Sequence, residues 1–294
     1  MRKDLNRYMN HLKDVVDKAL INYLYRLDIP ERLKNSMIYS VEAGGKRFRP
    51  ILLLSAYDVY AKDFEKALSA ACAVEFMHTY SLIHDDLPAM DDDDYRRGKP
   101  TNHRQFDEAT AILAGDGLLT YCFEIILEDP LLSAEEKVKI ARLLSECGGP
   151  KGMVAGQMLD MEAEKKQVNL AELEKIHALK TGELLRFSVL AGALLGGATK
   201  QQLTQLEQFA YYLGLLFQVQ DDILDITGDE EKLGKPVGSD AENEKSTYPK
   251  LLGLDGAIKK KEEYLSKAKE ALVNADADAS YLMELTTFVS SREN

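Results

Sequence analysis

The sequence predicts an all-α protein, a single large helical bundle around a central cavity, and three observations carry that prediction. Apolar residues recur with the helical period through most of the 294 residues. No alternating strand pattern runs longer than four residues. Three segments, 67–83, 184–198 and 209–220, are apolar nearly all round, as suits helices at the centre of a bundle. Small residues among them (Ser69, Ala70, Ala71, Ala73, Gly192, Ala193, Gly196, Gly197) fit either close helix packing or room for an apolar guest.

The helices follow in order. Residues 3–26 are amphipathic, and Pro30 opens a second helix that stops at Gly44-Gly45. Pro50 starts a third, ILLLSAYDVY, and residues 63–86 form a long apolar run ending in Asp85 and Asp86. A loop to about 106 precedes helices at roughly 107–128, 133–147, 152–165, 170–197 and 200–226. After a polar loop (227–248) two more fill 255–274 and 277–290. No low-complexity linker or repeat marks a boundary, so 1–294 reads as one domain.

Composition narrows the function. A net charge of −12 argues against general affinity for nucleic acid or anionic membrane, so an anionic substrate needs a local basic cluster or a metal. Cys72, Cys122 and Cys147 are odd in number, widely spaced and without a CxxC, which disfavours a disulfide framework or zinc site and fits a reducing cytoplasm. The first residues are charged and lack an apolar signal core. The longest uncharged apolar stretch, 188–198, is too short and glycine-rich to span a bilayer.

The chemistry concentrates in 81–103, SLIHDDLPAMDDDDYRRGKPTNH. Six aspartates (Asp85, Asp86, Asp91, Asp92, Asp93, Asp94) lie within ten positions, followed at once by Arg96, Arg97 and Lys99. Carboxylates this close raise one another's pKa unless cations sit among them. Hard divalent ions take carboxylate oxygen, and Mg²⁺ commonly binds one or two carboxylates plus substrate phosphates. Arginine and lysine are natural phosphate partners. The stretch reads as a magnesium–polyphosphate site, against the plainer alternative of an acidic surface loop. Asp91 lies six positions after Asp85, about 120° away on a plain helix, and Pro88 should end or bulge the helix so that Asp91 can come round. His84 reads as structural, because Mg²⁺ seeks oxygen.

A second acidic motif, Asp221-Asp222-Ile-Leu-Asp225, follows the uncharged run 209–220. Asp221 and Asp225 share a helix face, with Gln218 on the same side. A DDxxD alone is common in acidic proteins, but here a buried run leads into it, which favours the mouth of a cavity. Basic residues stand near both motifs: Lys46, Arg47 and Arg49 in GGKRFRP, Arg96 and Arg97, Lys180 beside Thr181, and Lys235 and Lys245 in the later loop.

These blocks together carry a resemblance. GGKRFRP, HDDLPAMDDDDYRRGKPTNH, FDEATAILAGDGLL, GMVAGQMLD, HALKTGELL, FQVQDDILD and GKPVGSDAENEKSTYPKLLG occur in the order found in the trans-isoprenyl diphosphate synthases. The chain resembles that family from about residue 40 to 250, and most closely its bacterial farnesyl diphosphate synthases. The resemblance implies the isoprenoid synthase fold, a cytoplasmic homodimer and a cluster of about three Mg²⁺ ions per site, with Mn²⁺ as the alternative. It implies Mg-dependent head-to-tail (1′–4) condensation of isopentenyl diphosphate with dimethylallyl and geranyl diphosphate, with no nucleic acid and no membrane anchor.

Residue roles follow from the same resemblance. Asp85, Asp86 and Asp91 match the first metal-binding set, and Asp221, Asp222 and Asp225 the second. Lys46, Arg49, His78 and Arg97 match positions that hold isopentenyl diphosphate. Arg96, Lys180, Lys235 and Lys245 match those that grip the allylic diphosphate. Thr181, Gln218 and the Lys180 carbonyl would face the carbocation, and Gln157 and Asp160 match a further block near the metals. Tyr80, five positions before Asp85, would floor the elongation tunnel and stop growth at C15. Ser81 is the neighbour that shares a face with Asp85, which keeps a C20 product as the alternative.

The chain departs from the family in Gly117, where alanine is usual, and in Glu183 and Arg186 beside Lys180, which could pair at three-residue spacing. Two other classes compete. A terpene cyclase would carry an Asn/Asp-Ser/Thr-Glu second motif where this chain has DDILD, and a non-catalytic prenyl synthase subunit would lose the aspartates.

Overall fold

A computed structural model describes residues 2–163, 166–227, 246–277 and 280–292. Among the described residues the regular structure is helical except for one short hairpin. They fall into two compact units: 1–54 with 63–142, and 55–62 with 143–294.

In the first unit α1 (Arg2–Tyr25) buries Leu12, Val16, Leu20 and Leu24 along one stripe, as its period requires. It packs on α2 (Glu31–Glu42) and on α4 (Leu68–Asp85). The helix α3 (Phe48–Tyr60) starts two residues ahead of Pro50, whose missing N–H falls in the first turn, where no intrahelical acceptor is waiting. A 3₁₀ turn, Phe64–Ala67, leads into α4, which packs along α6 (Glu108–Glu128). Alanines Ala70, Ala71 and Ala73 on α4 and Ala111 and Ala114 on α6 are fully buried, which accounts for the all-round apolar pattern. Asp107 caps α6 by accepting the Thr110 N–H at 2.7 Å and is itself held by Arg32.

The expected loop before residue 106 holds more order than its sequence shows. Tyr95–Arg96 (β1) and Lys99–Pro100 (β2) pair as a two-stranded antiparallel hairpin, and Asn102–Gln105 form a short helix, α5. Asn102 is buried and ties this segment to α2: its Nδ2 donates to the Ser36 carbonyl and to Ser40 Oγ, while its Oδ1 accepts from Ser36 Oγ at 2.8 Å.

The chain continues through α7 (Ala134–Gly148). In the second unit α8 (Met153–Ala163) precedes α9 (Leu170–His177), whose start is a full capping box between Asn169 and Glu172. The helix expected over 170–197 is interrupted: Ala178–Gly182 form a π turn before α10 (Glu183–Gly196), which ends at Gly197 in the left-handed conformation. The long α11 (Lys200–Thr227) contacts α9, α10 and the π turn. It also packs on α12 (Tyr248–Asn274) and α13 (Tyr281–Ser291). α12 begins earlier than its apolar pattern suggests, because Thr247 caps it, Pro249 sits in its first turn and Gly253 kinks it.

Among the described residues, α6 alone has the length and composition to cross a membrane, yet half of that apolar stretch is buried inside the protein. Replacing Asn102 with alanine leaves the Ser36 hydroxyl without its acceptor and removes the side-chain bonds of α5 to Ser36 and Ser40, while Tyr39 still holds the Pro100 carbonyl. The expected loss is about 2 kcal/mol in urea unfolding, with the far-UV spectrum unchanged.

Candidate active site

The first acidic motif takes its shape from the end of α4. The helix stops at Asp85, Pro88 lies in the turn that follows, and the Asp91 N–H donates to the Asp85 carbonyl at 2.9 Å. That bond folds the chain back across six residues and returns Asp91 to Asp85, as the proline break predicted. Asp86 is buried, and Arg96 grips it with Nε at 2.7 and 3.0 Å from its two oxygens and Nη2 at 2.6 Å. Burial pushes the Asp86 carboxyl up, and Arg96 acts against that rise. The remaining acids are tied locally: Asp93 and Asp94 carbonyls accept from Thr101, and Asp94 pairs with Arg104 at 2.7 Å.

GGKRFRP lies beside this motif. Arg97, in the turn of the hairpin, donates to the Gly44 carbonyl. Gly45 has a φ of +132°, which favours glycine, and a Cβ there would sit 2.7 Å from the Arg97 guanidinium carbon, so the two segments meet closely. His78 is held well below the ordinary imidazole range, first by enclosure and then by Arg49, Arg97, Arg96 and Arg47 around it. It is therefore neutral at pH 7. Ser81 Oγ donates to the His78 carbonyl at 2.9 Å, and Tyr80 is buried with its ring edge-on to His84. His84 meets α6: its Nε2 lies 3.1 Å from the Ile112 carbonyl, and a Cβ on Gly115 would fall 2.1 Å from that nitrogen. Lys46 is exposed and Arg49 half-buried. Arg47, grouped with them in sequence, is buried instead and bound wholly to the protein.

In the second unit a cavity of about 190 Å³ is lined by Asp160, His177, Lys180, Thr181, Gln218 and Asp222, with Ser246 and Thr247 at its edge. Five residues singled out in three separate motifs thus line one cavity: Asp160, the Lys180–Thr181 pair, and Gln218 with Asp222. The π turn explains how Lys180 and Thr181 reach it, since a π turn breaks the regular carbonyl ladder of a helix. Two glycines let neighbouring backbones close on it. A Cβ on Gly156 of α8 would lie 2.1 Å from the Lys180 nitrogen, and one on Gly214 of α11 would lie 2.9 Å from Gly182 Cα. Lys180 Nζ pairs with Asp160 Oδ2 at 2.5 Å.

The second acidic motif lies at the end of α11. Asp222 is buried and accepts the Tyr248 N–H at 2.9 Å; Asp225 is buried as well. Asp221 pairs with Arg292 at 2.6 Å. Arg292 was not foreseen in the sequence, where a lone arginine in a polar tail carries no signal. Its guanidinium lies over the Phe217 ring at 3.9 Å, and its carbonyl accepts from Gln220 Nε2. Glu183 and Arg186 do pair, at 3.2 Å, and Arg186 also reaches Glu207. Lys235 and Lys245 lie outside the described residues.

Residues 30–286 match the polyprenyl synthetase family model, and the chain belongs to that family. The fold is the all-α isoprenoid synthase fold. The chain is 52% identical to a farnesyl diphosphate synthase of Geobacillus stearothermophilus over 99% of this chain and 98% of the relative. It is 47% identical to the farnesyl diphosphate synthase of Bacillus subtilis, with both chains covered in full. A geranylgeranyl pyrophosphate synthetase of Pyrococcus horikoshii superposes with a TM-score of 0.88 at 30% identity, covering 99% of each chain.

The glycine contact gives a direct test. Gly156→Ala drives a methyl group into the Lys180 backbone, so turnover should fall at least about 10²-fold while the melting curve moves little by comparison. A second expectation concerns acid. Burial holds His177 at about 4, against 6.5 for the exposed ring. Between those values the unfolded chain binds a proton that the folded chain refuses, so stability rises with pH. The contribution is complete above pH 6.5 and lost as pH falls toward 4. In urea unfolding, His177→Gln should therefore lose about 2 kcal/mol less than the unsubstituted protein between pH 7 and pH 4.5.

Proposed function

We propose that the chain condenses isopentenyl diphosphate head-to-tail with dimethylallyl and then geranyl diphosphate, releasing diphosphate and making farnesyl diphosphate. The observation that carries this reading is the cavity wall where Lys180, Thr181, Gln218 and Asp222 meet. The farnesyl diphosphate synthases related over their full length support it. The two units are read as parts of one catalytic domain, 1–294, consistent with a family match that runs through both.

The donor chemistry fits Mg²⁺. Asp85, Asp86, Asp91, Asp221, Asp222 and Asp225 offer carboxylate oxygen alone, the donor that Mg²⁺ takes while keeping places for substrate phosphate. These six would hold about three ions, which supply charge stabilisation to the leaving diphosphate.

The chain's own groups do the rest. Arg96 and Lys180, with Lys235 and Lys245, grip the allylic diphosphate; Lys46, Arg49, His78 and Arg97 hold isopentenyl diphosphate. The allylic C–O bond breaks with its electron pair leaving on diphosphate. Thr181, Gln218 and the Lys180 carbonyl face the carbon left positive. The isopentenyl double bond then attacks C1 through its terminal carbon, and a proton from C2 passes to the departing diphosphate. Apolar walls exclude the water that would quench the cation. Tyr80, fixed by burial against His84, floors the tunnel at C15.

The functional unit is read as a homodimer in the cytoplasm. Ile112, Leu113 and Leu127 of α6 are exposed apolar side chains that a second copy would cover, and the three free cysteines are buried thiols. With Mg²⁺ and isopentenyl diphosphate, the C5 and C10 allylic diphosphates should both yield C15, and the C15 substrate should not react. Formation of C20 would discard the Tyr80 floor, and no condensation at all would remove the proposed activity. Tyr80→Ala should lengthen the product. Asp85→Ala and Asp221→Ala should each lower turnover by more than about 10²-fold with the fold retained.

A further inference from the structure

Arg47 stands between two residues read here as ligands of isopentenyl diphosphate, yet its own side chain cannot reach a ligand. It is 3% exposed. All three of its guanidinium nitrogens are committed: Nε donates to Asp17 Oδ1 at 2.7 Å, Nη1 to Glu75 Oε1 at 2.7 Å, and Nη2 to the Val41 carbonyl at 2.6 Å. Those partners lie on α1, α4 and α2 in turn. The Arg47 backbone has a φ of +49°, a left-handed conformation that a non-glycine side chain adopts only where its surroundings impose it. A buried ion pair alone is weak support for stability. One that fixes an unfavourable backbone angle in a ligand-bearing loop has a geometric purpose.

The geometry points to Arg47 as the positioning residue of the isopentenyl diphosphate subsite, an inference that rests on the function proposed above. Glu75 and His78 are three residues apart on α4, on one helix face. Clamping Arg47 to Glu75 therefore sets Lys46 and the first turn of α3, which carries Arg49, at a fixed height along the helix that carries His78. Asp17 holds the guanidinium from α1, and the Val41 carbonyl holds it from the last turn of α2, just ahead of the two glycines. Between Asp17 and Glu75 the clamp carries two negative charges to one positive. It thus tempers the repulsion among Arg49, Arg96 and Arg97 without occupying the phosphate site. Lysine cannot replace it, because a single ammonium lacks the planar fork that spans three acceptors in different directions.

Steady-state kinetics on the full-length enzyme, varying each substrate separately, tests this. Arg47→Lys should raise KM for isopentenyl diphosphate by about 10-fold or more and leave KM for geranyl diphosphate within about twofold. Asp17→Asn, which keeps an acceptor oxygen at the 37%-exposed end of the clamp, should give the same selective rise at about two- to fivefold. If Arg47→Lys does not fold, Asp17→Asn decides alone. A fall in kcat with both KM values unchanged, or an equal rise in both, would overturn the assignment. Lys46→Ala separates the two levels: unchanged isopentenyl diphosphate affinity there removes the subsite itself. A raised KM in Lys46→Ala with none in either clamp variant removes only the role of Arg47.

Discussion

Charge neutralisation within each unit is the constraint on which the rest depends. Carboxylates at the density of residues 85–94 cannot all stay ionised at close range unless cations come between them. The protein meets this with its own side chains. Arg96 lies across Asp86, Arg104 on Asp94, Lys180 on Asp160 and Arg292 on Asp221. Each pair holds a carboxylate in a fixed orientation, so an incoming cation meets oxygen atoms already in place. The partially buried pairs matter more than the exposed ones, since solvent screens the latter heavily.

Close backbone approach is the second organising feature. Gly115 makes room for His84, Gly45 for Arg97, and Gly156 and Gly214 for the π turn. At Gly156 and Gly214 a methyl group would meet backbone and push apart the segments around the Lys180 turn, whereas at Gly45 and Gly115 it would meet a side chain. The turn that carries Lys180 and Thr181 is thus placed by glycines on the neighbouring helices α8 and α11.

Much of this was legible in the sequence. The long helices were readable because their apolar period is sustained, and the return of Asp91 to Asp85 followed from Pro88 alone. The Glu183–Arg186 pair followed from spacing. Other features were not readable. Arg47 and Lys46 are adjacent cations, and only the φ of +49° and the presence of Asp17 and Glu75, 30 and 28 residues away, separate a buried clamp from an exposed ligand. Arg292 meets Asp221 across 71 positions, a pairing that no local pattern encodes. The hairpin at 95–100 is too short for alternation to register, and Thr247 with Pro249 starts α12 in a segment that looked like loop.

The π turn has a consequence for how the chain can tolerate changes in length. A π turn holds one residue more than the α-helical turn it replaces, and each residue advances a helix by about 100°. Residues 170–177 and 183–196 are therefore out of phase with one another, although the sequence between them looks continuous. Deleting a single residue from 178–182 would close the π turn into an unbroken α-helix while Leu173 and Ile176 on one side and Leu184, Phe187 and Ala191 on the other keep their buried faces. Such a deletion would remove the wide turn that carries Lys180 and Thr181, whereas a deletion within either flank would turn an apolar face out of the core.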